Sequence, residues 1–322
     1  MTAVAAIRRA GRGHVRPPGT DAPDRVTLER LIALRTAGES LQLTAPRVQA
    51  VGAGGHLSPF KGRGVEFDES RPYQPGDDLR MMDWRVMART GKPHTKVFRE
   101  ERNRPVFVWL DLRVSMLFGT QGAFKAVRAA EAAALVAWAA VANGDRLGGL
   151  VFSETGHEER RPRLGRRSAL TLLKLVAEDR FWTPSPDAAP GGGADHALKR
   201  LTRVARPGSL LFLVSDFRGL GPDAERHLRE LSRHGDVFLL HVFDPLEAEL
   251  PPPGRYRIVV GGRSVTIDTS DQALRSRYRA EFEAHRARLA ALARLPAVSV
   301  LDCATNDDPR SVLARRFGGR AT

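Results

Sequence analysis

Pro105-Val106-Phe107-Val108-Trp109-Leu110-Asp111 is the stretch on which the fold turns. Five consecutive apolar residues closed by a carboxylate have the length and continuity of a strand buried on both faces, and such strands belong to parallel sheets covered by helices on each side. Downstream the same pattern recurs. An Ala-rich helix is predicted from about Ala123 to Ala142, stopped by Asn143 and Gly144. Arg146 to Phe152 reads as the second strand, and a charged hairpin to about Arg163 adds an edge strand. A helix over Ser168 to Ala177, a Pro- and Gly-rich loop at 184–193 and a helix at 194–205 lead to a third apolar run. That run, Leu210 to Val214, ends in Ser215 and Asp216. A helix at 223–234, a strand from Val237 to Val242, and a small hairpin of Tyr256–Val260 with Ser264–Ile267 around Gly261 and Gly262 follow. A long helix from about Gln272 to Leu292, a last buried strand from Val298 to Asp302 and a short helix near 309–316 close the chain. Strands alternating with helices require right-handed crossovers, so residues 104–322 are predicted to form a doubly wound α/β domain with a mostly parallel sheet.

Upstream the texture differs. Residues 1–23 are rich in Gly, Pro and Arg without periodicity and read as a flexible, Arg-rich leader. Leu28, Leu31, Ile32 and Leu34 recur at helical spacing, so 24–47 is a short helical segment with Asp24 or Thr27 as its N-cap. Gly52, Gly54, Gly55, Gly62 and Gly64 open a stretch with few long apolar runs, the signature of short strands and turns, and 48–103 is taken as a distinct β-rich module.

With 322 residues, the chain is long enough to bury a complete sheet without staples, and its single Cys303 allows no internal disulfide. The net charge of +14 suggests a nucleic-acid partner until its distribution is read. Only the first twenty residues, with Arg8, Arg9, Arg12 and Arg16 and no acid, are unbalanced; the rest of the excess is spread thinly, and neither half of the chain holds it. A nucleic-acid face concentrates its charge along a groove or helix, so the sequence argues against direct binding. The longest apolar run, Ala132 to Ala142, is short of the roughly 20 residues of a spanning helix, and no signal peptide is evident. The expected location is cytoplasmic.

In a doubly wound sheet, ligands sit beyond the carboxyl ends of the strands, where the strand order reverses. Asp111 and Asp216 end the first and third buried strands, so both are expected in one crevice, unless each merely caps the next helix. Arg71, Asp77, Asp78, Arg80, Asp83, Arg85 and Arg89, interleaved with Tyr73 and Trp84, form either a docking surface for a partner or an ion-pair lattice fixing an irregular module. Signatures of catalysis are thin. There is no phosphate-binding Gly-x-x-x-x-Gly-Lys-Ser/Thr loop, no Gly-x-Ser-x-Gly elbow and no His-Glu-x-x-His pair. His157 and His241 read as structural, and Cys303 as a small buried apolar residue.

Gly62-Arg63-Gly64-Val65-Glu66-Phe67, Glu69-Ser70-Arg71-Pro72-Tyr73-Gln74-Pro75-Gly76-Asp77-Asp78-Leu79-Arg80, Asp83-Trp84-Arg85, Ala88-Arg89 and Glu100-Glu101 together resemble the signature of the DUF58 family. Gly144-Asp145-Arg146, Ser215-Asp216-Phe217 and the helix around Tyr278 and Phe282 extend the resemblance over most of the chain, from about Gly54 to Phe317. The resemblance implies a von Willebrand factor A-like domain and a MoxR-type AAA+ ATPase as partner. It also implies a metal-ion-dependent adhesion site built from Asp-x-Ser-x-Ser, a Thr from a second loop and an Asp from a third. Hard oxygen ligands there hold Mg2+ and leave one position for a partner's carboxylate.

This sequence departs from that pattern. The first motif reads Asp111-Leu112-Arg113-Val114-Ser115, with Arg113 in place of the first Ser. The second loop, Gly191-Gly192-Gly193-Ala194-Asp195, has no hydroxyl, while Asp216 preserves the third element. The expectation is a degenerate site of Asp111, Arg113, Ser115, Asp195 and Asp216 that binds no metal and uses no cofactor. In it Arg113 replaces the ion, either as a closed structural pair or by presenting its fork to an acidic partner residue, unless it simply turns to solvent. The functional expectation is a non-enzymatic interaction adaptor, working with a MoxR-type ATPase and an unidentified client protein in assembly or remodelling. The alternatives are a basic nucleic-acid-associated protein using the Arg-rich leader and, weakest, a hydrolase using Asp111 and Asp216.

Overall fold

The computed structural model describes residues 7–9, 24–43, 65–74, 82–100, 103–183, 193–260 and 263–318. The chain divides into two compact units, one of residues 1–47 with 104–322 and the other of 48–103.

In the larger unit, Ile7–Arg9 is β1, and Leu28–Ala33 and Arg35–Glu39 are helices α1 and α2. The smaller unit holds β2 (Val65–Pro72), α3 (Trp84–Thr90) and β3 (His94–Glu100). The larger unit resumes with β4 (Pro105–Asp111), a 3-10 turn at Val114–Met116, α4 (Lys125–Ala142), β5 (Arg146–Ser153), β6 (Gly156–Arg163) and α5 (Arg166–Val176). Then come α6 (Ala194–Val204), β7 (Ser209–Ser215), α7 (Ala224–His234), β8 (Gly235–Phe243) and α8 (Pro245–Ala248). The hairpin β9 (Arg255–Val260) and β10 (Arg263–Asp268), α9 (Gln272–Leu292), β11 (Val298–Ala304) and α10 (Pro309–Phe317) complete it.

The central sheet has the order β11-β8-β7-β4-β5-β6, parallel throughout except for β6, which pairs antiparallel with β5 at the edge. Alternation along β4 feeds two cores. Val106, Val108 and Leu110 face a cluster with α1, α2, α4, α5 and α10, while Phe107 and Trp109 face one with α6, α7 and α9. This is the α/β architecture that the apolar runs imply, with helices on both faces. The chain runs from β4 through α4 to β5 on one side and later returns to place β7 on the other. The order therefore reverses between β4 and β7, directly at Asp111 and Asp216.

Three expectations need correction. The helical segment at 24–47 is two helices, with Thr27 capping α1 by accepting a hydrogen bond from the Arg30 amide, and it belongs to the larger unit. Ile7–Arg9, within the stretch read as a flexible leader, forms a strand antiparallel to Tyr256–Ile258, a backbone pairing that needs no apolar pattern. The smaller unit is not purely strands and turns. Asp83 caps α3 through the amides of Arg85 and Val86, and Gly91 at φ 70° ends the helix in the left-handed conformation that glycine adopts freely. Among the described residues, no helix is long and apolar enough to cross a membrane.

Candidate functional site

The carboxyl ends of β4 and β7 bring Asp111 and Asp216 together around two cationic side chains, all four buried. Arg113 folds back on Asp111 through three donors. Its backbone amide reaches Oδ1 at 3.0 Å, its Nε lies 3.0 and 3.1 Å from the two oxygens, and its Nη2 reaches Oδ2 at 2.7 Å. The Ser215 hydroxyl donates to the same Oδ2 at 2.6 Å. Arg113 Nη2 also donates to the Arg218 carbonyl at 2.9 Å and stands 3.8 Å from Asp216 Oδ1. Lys125 Nζ lies 2.9 Å from both Asp216 Oδ2 and Glu247 Oε1, and the Arg218 amide donates to Asp216 Oδ1 at 3.0 Å.

A strained turn shapes this network. Phe217 has φ 53°, in a region costly for a bulky side chain. It is held there because its amide donates to Ser215 Oγ, because the Arg218 amide donates to Asp216, and because its ring is buried. The same turn points the Arg218 carbonyl at Arg113.

Burial acts differently on the two carboxyls. It pushes Asp111 above its ordinary value against the opposing pull of Arg113. At Asp216 burial pulls upward as well, but the Lys125 charge and the Arg218 amide outweigh it and hold the group below the usual range. Lys125 is raised, because Asp216 and Glu247 together overcome the cost of burying its charge.

Two residues named from the sequence stand apart. Ser115 lies exposed on the 3-10 turn. Asp195, in the first turn of α6, accepts from the Gly221 amide at 3.0 Å with both oxygens and ties that helix to the loop after β7. Arg113 does not turn to solvent, since its side chain is 2% exposed and its Nε and Nη2 are held by Asp111 and the Arg218 carbonyl. Of the charged cluster at 71–89, Asp77, Asp78 and Arg80 lie outside the described residues. Asp83 is a buried helix cap that also accepts from Ser70 Oγ at 2.6 Å. The Arg71 side chain donates to the Pro72 carbonyl at 3.2 Å, and the Tyr73 amide donates to the Pro93 carbonyl at 3.0 Å. Trp84, Arg85 and Arg89 are exposed, Trp84 by 64%.

Sequence reasoning missed Lys125, Glu247 and Asp244. Asp244 follows β8 as Asp216 follows β7, and it accepts from the Thr120 amide at 2.7 Å, Thr305 Oγ1 at 2.7 Å and the Leu246 amide at 2.9 Å. Its place after an apolar run was the available signal. Lys125, one of only six lysines in the chain, opens the Ala-rich helix. Cys303 is buried, and burial pushes its thiol up to about 12. His241 is buried against Asp302, 2.9 Å away.

Beside the sealed pairs opens a cleft of about 1030 Å³ between the 217–225 loop and α9. Phe282, His285 and Leu289 form its buried floor, and Arg218, Glu281 and Arg288 stand exposed at its rim. His285 Nε2 is 2.9 Å from the Asp216 carbonyl oxygen, which links this floor to the ion pairs.

As a candidate metal centre the donor set does not fit. Each oxygen of Asp111 and Asp216 already accepts from an amide, a hydroxyl or a cation, so a hard divalent ion would have to displace two charged side chains. Among the described residues, no group of three or more His, Cys, Asp and Glu is placed to hold a metal.

Fold and site together define an α/β protein whose strand-end crevice is closed by its own ion pairs. The chain belongs to the DUF58 family, "Protein of unknown function DUF58", which matches residues 69–288. It is 33% identical over 296 residues to the uncharacterized protein Rv1480 of Mycobacterium tuberculosis, covering 89% of this chain and 92% of the relative. The same figures hold for the uncharacterized protein Mb1516 of Mycobacterium bovis. Among solved structures it is similar to the conserved hypothetical protein BatB from Bacteroides thetaiotaomicron, at 14% identity, TM-score 0.41, and 66% of this chain against 96% of that one. It is also similar to an aerotolerance-related membrane protein from Bacteroides fragilis, at 15% identity, TM-score 0.36, and 65% against 96%.

Proposed function

We propose that the chain is a non-enzymatic interaction adaptor with a von Willebrand A-like domain, working with a MoxR-type AAA+ ATPase to assemble or remodel a client protein. One observation carries the reading. The groups with acid-base potential at the strand ends are sealed in mutual pairs, while the surface beside them is an open cleft with a mixed-charge rim. Catalysis needs a nucleophile or base within reach of a substrate. Docking needs an apolar floor with polar groups around it, and Phe282, Leu289, Arg218, Glu281 and Arg288 supply that arrangement. The contact falls on the cleft rather than on Arg113, whose side chain is buried against Asp111.

Affinity purification from the native host, with nuclease and a non-hydrolysable ATP analogue, tests the proposal. Recovery of an AAA+ ATPase by the wild type, lost in a folded Arg218→Glu/Arg288→Glu variant, supports it. Recovery of nuclease-sensitive material alone would replace it with the nucleic-acid reading.

A further inference from the structure

We infer that this protein carries its site cation in covalent form: Arg113 and Lys125 together take the place of one divalent ion at the ends of β4 and β7, and the crevice is independent of metal. The inference stands apart from any partner and from the adaptor reading.

Charge is the first argument. Asp111 and Asp216 end adjacent parallel strands and are both buried, so without a counter-charge each would raise the cost of ionising the other. One guanidinium and one ammonium carry the same charge as one divalent ion. They are divided as the carboxylates require, with Arg113 on Asp111 at 2.7 Å and Lys125 on Asp216 at 2.9 Å, while the 3.8 Å approach of Arg113 Nη2 to Asp216 spans the pair.

Placement is the second. Lys125 is the first residue of α4, the end of a helix where the macrodipole disfavours a cation. It is also one of the largest fully buried side chains in the chain. Neither helix propensity nor packing accounts for a buried ammonium there, whereas Asp216 and Glu247, both 2.9 Å away, do.

Geometry is the third. A planar guanidinium directs its donors along fixed lines, and here they meet Asp111 and the Arg218 carbonyl that the strained Phe217 turn presents. A metal ion in that position would lie against two fixed cations in a poorly screened interior.

Thermal unfolding of the full chain, in EDTA and then with Mg2+ or Mn2+, tests this in four proteins: the wild type, Arg113→Ser, Arg113→Ser/Lys125→Met and Asp111→Asn/Arg113→Ser. The wild type is expected to melt at the same temperature in chelator and in millimolar divalent ion. Arg113→Ser, which restores a hydroxyl and removes one tethered charge, should melt lower in EDTA and regain stability with metal. The variant lacking both cations should respond more strongly, by about 4–5 °C when the ion is roughly one hundred times its Kd. The variant that also lacks the Asp111 charge should respond less than Arg113→Ser. A wild type that metal stabilises as much as the variants would overturn the inference, as would variants that ignore metal. Should a variant fail to fold, Mn2+ electron paramagnetic resonance on the wild type still decides. A full free-ion signal supports the inference, and stoichiometric loss of that signal overturns it.

Discussion

Arg113 and Asp111 are two residues apart in sequence and fully enclosed by the fold, so their attraction is offset by the cost of removing both from water. In such pairs, removing one member is far more damaging than removing both, because an uncompensated charge is then left in the interior. Arg113→Met is therefore expected to cost about 3–5 kcal/mol, measured by urea unfolding at neutral pH. Asp111→Asn/Arg113→Met should recover at least half of that loss, since the introduced side-chain amide still accepts from Ser215 and carries no charge. Equal destabilisation in the single and double variants would mean that packing, not charge, dominates. Lys125 obeys the same logic with two acceptors instead of one. Losing Glu247 alone leaves it paired to Asp216, so Glu247→Gln should cost less than Asp216→Asn in the same assay.

At the scale of elements, α2 shows how closely helices approach when a glycine permits it. A Cβ at Gly38 would stand 2.6 Å from the Trp138 Cβ and 2.8 Å from the Leu135 carbonyl oxygen, both on α4. Trp138 in turn donates its indole N–H to the Leu31 carbonyl at 3.1 Å, locking α1 to the same helix. Gly38→Ala gains helix propensity but must push α2 from α4, and a net loss of about 1–3 kcal/mol is expected by denaturant unfolding. A stabilised variant would show that the helices part without penalty. The sequence displayed the strands and long helices because continuous apolar runs and Ala-rich periodicity are local patterns. It hid α3, whose seven residues bury nothing and are marked only by Asp83 and Gly91 at its ends. At the site, Asp111 and Asp216 were legible because each closes an apolar run. Lys125 was not, because it reaches across to Asp216, 91 positions away, and no spacing within α4 announces that partner.

Across the whole molecule the large basic excess is dispersed, and many surface arginines are neutralised locally: Arg229 by Glu225, Arg200 by Glu159, Arg286 by Asp302. Exposed pairs of this kind contribute little, so the pH dependence of stability falls to buried groups. His285 is held below its ordinary value by burial and by the neighbouring charges of His241, Arg218 and Arg288, while its ring stays 2.9 Å from the Asp216 carbonyl. A histidine depressed in the fold binds its proton more readily in the unfolded chain, so its contribution to stability is lost as the pH falls below about 6.5. Asp302, lowered by His241, and Asp216, lowered by Lys125 against its burial, add a second loss. Their contribution to stability is present above about 3.9 and is lost as the pH falls through their depressed values. Asp111, raised by burial, works the opposite way, since its proton is held more tightly in the fold. Because these carboxyls are common to both proteins, the difference between the wild type and His285→Gln isolates the histidine. The glutamine side chain keeps a donor for the Asp216 carbonyl and cannot take a charge. Unfolding free energies measured between pH 7.5 and 5.5 should decline more steeply for the wild type than for His285→Gln. Parallel slopes would place the acid sensitivity in another group and free the cleft floor from any part in it.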